Sequence, residues 1–206
     1  MKGNVMADEE RYDIPVYSRQ ARMFHWWIAL FLLLQVPIGF YMTYRGYDME
    51  AVNDKGEVVK GLWDGITNTL YSSHKLLGLI ILLFVVLRLS YRLVYGAPAP
   101  DRSVPAPLTG ASHLLHWGLY LALLATPIIG YVGISYGRYL SVFGLPLPPV
   151  TIEDKKFAEE VFEYHETAAI ILLCLIGVHV AGALYHKFIR KDRVVERMLP
   201  KKRNIV

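Results

Sequence analysis

Cysteine is nearly absent: Cys174 stands alone in 206 residues. An internal disulfide is therefore excluded, and with it the small secreted scaffolds that disulfides hold together. No Cys-x-x-Cys-His occurs, which rules out covalent haem attachment. Charge is thin as well. Asp, Glu, Lys and Arg make up 19% of the chain, against roughly 25% in soluble domains, and they are swept into a few segments. With 54% hydrophobic residues and a mean hydropathy of +0.31, neither a water-soluble globule, a disordered chain nor a collagen repeat fits.

What fills the space between the charges is four apolar runs. Met23 to Tyr44 holds no Asp, Glu, Lys or Arg and, as a helix rising ~1.5 Å per residue, is about 33 Å long, one bilayer span. A second span covers about 70–91, with Lys75 and Arg88 close enough to its ends to snorkel. The third covers about 113–136 with Pro127 inside, and Pro105 and Pro107 before it read as loop. The fourth covers about 162–186 and is closed by Lys187. The expected fold is all-α, an integral membrane four-helix bundle forming one domain over residues 1–206. The first run is too long for a signal-peptide core and lacks a small-x-small site after it, so it is expected to stay as an anchor. Lys and Arg gather at the termini and the middle loop, and Asp and Glu in the other two loops. The positive-inside rule then puts both termini in the cytoplasm and the loops near 46–69 and 137–161 outside. The basic pI reflects this topology and not nucleic-acid binding. The tail from Lys187 to Arg203 reads as a solvated anchor at the lipid headgroups.

Seven histidines occur, and His25, His74, His113, His116, His165, His179 and His186 all sit in or at the edge of the spans. Ionisable groups in a membrane are costly and usually functional, and neutral imidazole is a good axial ligand for haem iron. His165 and His179 lie 14 residues apart, which at 100° per residue falls about 40° short of four turns, so both leave one face about 21 Å apart in depth. One helix can therefore serve two stacked haems. By depth His74 pairs with His165 at the outer level, and His25 meets His179 or His186 at the inner one, with the interfacial position of His186 favouring His179. A porphyrin against a helix needs a small side chain one turn from the ligand. Ala29, Gly78, Ala169 and Ala183 follow His25, His74, His165 and His179 by four, whereas Trp117, Tyr120 and Arg190 follow the other three. Arg22, three residues before His25, and Arg88 and Arg92 are placed to meet inner propionates. His113 or His116 is placed to bond a propionate or a quinone carbonyl, and no carboxylate or cysteine stands near them to complete a zinc or copper site.

These segments resemble the bacterial cytochrome b561 family, small inner-membrane dihaem cytochromes related to the cytochrome b subunits of formate dehydrogenases and nickel-iron hydrogenases. The likeness is carried by Arg22 to Trp27 (RMFHWW), His74 to Gly78 (HKLLG), Arg88 and Arg92, His113 to His116 (HLLH), His165-Glu166-Thr167, Gly177 to His179 (GVH) and Met198 to Arg203 (MLPKKR). It implies His25 with His179 and His74 with His165 as axial ligands of two non-covalent haems b. It also implies electron transfer to or from ubiquinone or a related quinone in the bacterial inner membrane. Some members suggest superoxide oxidation at the outer face. The outer loops carry Asp48, Glu50, Asp54, Glu57, Asp64, Glu153, Asp154, Glu159, Glu160 and Glu163, so Lys75, beside His74, is the residue expected to attract that anion, with Arg138, Lys155 and Lys156. The expected partners are membrane lipid and the quinone pool, with a redox partner protein or a second copy as further candidates. Two other classes fit the bundle: an electron-conducting subunit of a dehydrogenase or hydrogenase, and a haem-free transporter or scaffold.

Overall fold

The computed structural model describes residues 15–199 apart from Asp54 and Arg102, so Lys201 to Arg203 of the basic end lie outside the described residues. Helix α1 spans Arg19–Thr43 and runs on through a π-helical turn, Tyr44–Asp48. A short antiparallel hairpin follows, β1 (Glu50–Val52) on β2 (Val58–Lys60), with Ala51 opposite Val59. Helices α2 (Gly65–Tyr95) and α3 (Ala106–Tyr136) come next. A second hairpin, β3 (Ser141–Val142) and β4 (Leu145–Pro146), leads into α4 (Lys155–Leu184), which also ends in a π-helical turn, Tyr185–Arg190. Four of these helices are long and apolar enough to cross a membrane, and the chain is a four-helix membrane bundle.

The helices begin earlier than hydropathy predicts: α2 at 65 and not 70, α3 at 106 and not 113, α4 at 155 and not 162. Capping sets those starts. Asp64 accepts from Thr67 N at 2.8 Å and Asp154 from Phe157 N at 2.9 Å, satisfying amides that have no partner within the helix. Pro105 and Pro107, expected in loop, occupy the N-cap and first turn of α3, where a missing N–H costs nothing. At ~1.5 Å per residue, the 31 residues of α2 and of α3 span about 46 Å, so their first turns stand clear of a ~30 Å hydrocarbon core.

Inside the bundle α1 packs along α2 and α3 along α4; fewer contacts join α2 to α3, and α1 and α4 meet only sparsely. The small core is Ile28, Ile81, Val85 and Tyr120, with Phe31 and Phe84 packed against it. Many large apolar side chains, Leu33, Leu121 and Val178 among them, face outward, which suits lipid and not water as the surrounding solvent.

Both ends are tied. At the hairpin end the guanidinium of Arg45, 5% exposed, donates to Asp64 Oδ2 at 2.8 Å and Thr67 Oγ1 at 3.0 Å, while Thr67 Oγ1 donates to Leu62 O at 2.6 Å. Gly61 is required here: its φ is +90°, and a methyl group on it would stand 2.5 Å from Gly46 O. At the terminal end Arg197 donates to Pro15 O at 2.8 Å and Ala99 O at 2.6 Å, Arg22 to Leu199 O at 2.8 Å, and Trp26 to Met198 O at 2.9 Å. The tail read as solvated is, up to Leu199, folded back as a clasp on Pro15, the first turns of α1 and the α2–α3 loop.

Candidate functional site

Side chains from three helices meet at two levels. Near the terminal end, His25 of α1 and His179 of α4 face each other with ring centroids 6.1 Å apart and planes crossed by 76°. Near the hairpin end, His74 of α2 and His165 of α4 stand 6.2 Å apart, crossed by 85°. The 14-residue spacing in α4 thus puts both of its histidines on the face turned to the other hairpin. A nitrogen ligand sits about 2 Å from a first-row metal ion, so two imidazoles sharing one ion have ring centroids roughly 6 Å apart. Both pairs have the spacing that a bis-imidazole iron needs.

The hairpin-end pair borders a cavity of about 1370 Å³ between the helices, lined also by Gly39, Gly78, Gly130 and Ala169. Gly78 and Ala169 are the small residues one turn on from the two histidines. His165 Nδ1 lies 2.9 Å from Thr126 O; a carbonyl only accepts, so Nδ1 carries the proton and Nε2 keeps its lone pair free for a metal. His74 Nδ1 is buried without a partner. Gly39 and Gly130 make the close approach. A methyl group would come within 3.2 Å of the His74 ring at the first and 2.9 Å of the His165 ring at the second. The sequence reading missed both glycines, since they lie on neighbouring helices and not one turn from a ligand. An iron porphyrin fits this donor set: two neutral imidazoles across an apolar gap, with small residues clearing the space.

The remaining expected residues distribute unevenly. His116, not His113, turns inward: its ring lies 5.3 Å from that of His179 and its Nδ1 is 3.2 Å from Ser112 Oγ, while His113 is exposed. His186 is drawn away into the tail, with Nδ1 2.7 Å from Asp192 Oδ2. Arg88 donates to Tyr120 OH at 3.1 Å and Ala21 O at 3.1 Å, and Arg92 lies over the Trp117 and Tyr120 rings. Arg22, occupied by Leu199 O, is part of the clasp. Lys75 lines the hairpin-end mouth of the cavity with Arg138, its Nζ donating to Tyr139 O at 2.9 Å and Ser141 O at 2.8 Å.

Comparison with known proteins shows the family. A family model described as prokaryotic cytochrome b561 matches residues 16–201. The chain is 36% identical over 133 residues, 63% of its own length and 74% of the relative's, to a Yersinia pestis protein called probable superoxide oxidase CybB. It is 26% identical to cytochrome b561 homolog 1 of Escherichia coli, over 91% of this chain and 98% of that one. Homolog 2 of the same organism is 29% identical over 93% of each.

Proposed function

The chain belongs to the prokaryotic cytochrome b561 family of membrane electron-transfer proteins with b-type haem, and from that premise we propose that it carries electrons between its hairpin end and the quinone pool through two haems b. The reading rests on one observation above the rest: two cross-helix histidine pairs, 6.1 and 6.2 Å apart, at two levels of one bundle. In it His25 with His179, and His74 with His165, hold the irons through neutral imidazole nitrogens. Haem, once bound, supplies one-electron ferric–ferrous chemistry at each level.

The protein's part is to hold and to bias. Thr126 O fixes the proton on His165 Nδ1, and the cationic group of Arg88 stands beside Tyr120 at the terminal level, where it would offset carboxylate charge on a bound cofactor. There Arg88 and His116 are the inward donors suited to a quinone carbonyl; His113, exposed, faces the headgroups. At the other end Lys75 and Arg138 are the cationic side chains of a cavity lining that also carries Asp48, Glu159, Glu163 and Glu166, so these two positions are where a small anionic donor such as superoxide, the substrate in the name of the Yersinia relative, would be drawn. The balance is two superoxide ions giving one electron each, becoming dioxygen, and one ubiquinone taking both electrons and two protons to become the quinol. In this reading the termini lie in the cytoplasm and the hairpins outside a bacterial inner membrane, as the distribution of Lys and Arg favours.

A reduced-minus-oxidised spectrum of the purified protein, with haem counted per chain, tests this. Two haems b are expected, falling to one in His74→Ala or His165→Ala. One haem in the wild type, or content unchanged in all four His→Ala variants, would overturn it.

A further inference from the structure

Within each helical hairpin a histidine leans on the helix before it, and the two contacts share one pattern. His165 of α4 turns its Nδ1–Cε1 edge to Gly130 of α3, with a hydrogen-bond acceptor, Thr126 O, four residues earlier on that helix and 2.9 Å from Nδ1. His74 of α2 turns the same edge to Gly39 of α1, a methyl group there standing 3.2 Å from Cε1 and 3.4 Å from Nδ1. Four residues before Gly39 is Gln35. Its Nε2 already donates to the backbone carbonyl of His74 at 3.0 Å. Among the described residues, the buried side-chain atoms that lack a partner are Gln35 Oε1 and His74 Nδ1. One accepts and the other donates. Leaving both unpaired in a low-dielectric interior is costly, and a bond between them, made by a residue already bound to His74, would remove the cost.

We propose that Gln35 is the positioning residue of the hairpin-end haem, its Oε1 accepting the Nδ1–H of His74 as Thr126 O accepts that of His165. This rests on the reading of His74 as an iron ligand. The bond holds the tautomer with Nε2 free, orients the ring, and makes the imidazole a stronger donor, which favours the ferric state.

The test is a potentiometric titration of wild type, Gln35→Met and Gln35→Glu, the relevant haem being the one lost in His74→Ala. Methionine keeps the shape and removes the acceptor. The hairpin-end haem should then rise in potential by a tenfold change in its ferric-to-ferrous ratio, 59 mV for one electron, with the other haem unmoved. Glutamate keeps an acceptor, and a stronger one, but loses the donor to the His74 carbonyl; the potential should fall. A residue serving only to tie the two helices loses its Nε2 bond in both variants, so shifts in the same direction, or none, overturn the proposal. Should Gln35→Met fail to accumulate, Gln35→Glu decides alone, and an unchanged or raised potential overturns it. If His74→Ala keeps both haems, the ligand assignment itself fails and this inference with it. Two haems in wild type together with a silent Gln35 would sink only the inference.

Discussion

Gly130→Ala tests the site at its tightest contact. The new methyl carbon would sit 2.9 Å from both Cε1 and Nδ1 of His165, whereas such atoms rest about 3.5 to 4.0 Å apart. The ring must therefore back away from α3 by at least about 0.6 Å, and the 2.9 Å bond from Nδ1 to Thr126 O, made by the same ring edge to the same helix, stretches past the useful range. The lost bond costs about 1 kcal/mol and the displaced rotamer about 1 more, offset by roughly 1 kcal/mol of helix propensity gained when glycine becomes alanine. The haem-free protein should thus be destabilised by only about 1 kcal/mol, while a ligand deprived of its orienting partner holds metal about 10- to 100-fold more weakly. Gly39→Ala, whose methyl would stand a longer 3.2 Å from the His74 ring, should show a milder loss, and Gly177→Ala, with nothing within 4 Å, none. The assay is haem retained per chain under competition from an excess haem-binding protein, beside thermal unfolding of each variant in detergent. Equal retention in all three would refute the argument.

Other perturbations separate the two ends. Lys75→Glu should slow superoxide oxidation tenfold or more in low salt, with the deficit shrinking as salt is added; Lys75→Met, which breaks the bonds to Tyr139 and Ser141 without reversing charge, should fall between. A rate equal to wild type in both would remove Lys75 from the reaction. Arg197→Ala gives up charge-assisted bonds to Pro15 and Ala99 worth about 1.5 to 3 kcal/mol each, so trypsin should cut the tail after Lys191 or Arg193 much faster than in wild type. The carboxyl of Asp64 is held below its ordinary range first by the Thr67 backbone N–H and further by Arg45. Its contribution is therefore full above the unfolded carboxylate pKa of about 3.9 and lost as pH falls through the lower folded value. Hydrogen exchange of the amides of 49–62, protected at pH 7, should lose part of that protection below pH ~4 relative to Asp64→Asn.

Hydropathy and histidine spacing carried the reading of this chain as far as local signals reach. His165 and His179 announce their shared face because the α-helical period is fixed, and His25 and His74 follow from depth in a bilayer of known thickness. The helix starts were misjudged because Asp64, Asp154 and Pro105 look like loop by polarity yet cap or open a helix. Which of His113 and His116 turns inward depends on the rotation of α3 against α4, which no property of α3 alone determines. Gly39 and Gly130 were invisible for a related reason: each clears space for a histidine on another helix. Arg45 sat among outer-loop charges, and nothing in sequence distinguishes a cation buried against Asp64 and Thr67 from one in solvent.

The scant contact between α1 and α4 has a consequence for how such a protein is made. Each hairpin completes its own backbone hydrogen bonding once in lipid, and each has its own upper histidine leaning on the helix before it, α1 with His74 and α3 with His165. The halves pack on each other along α2 and α3, and each has its own hairpin-end histidine in place before anything is held between them. Haem would then be mortar and not scaffold: chain made without it should still insert as two hairpins and wait, folded, for its cofactor.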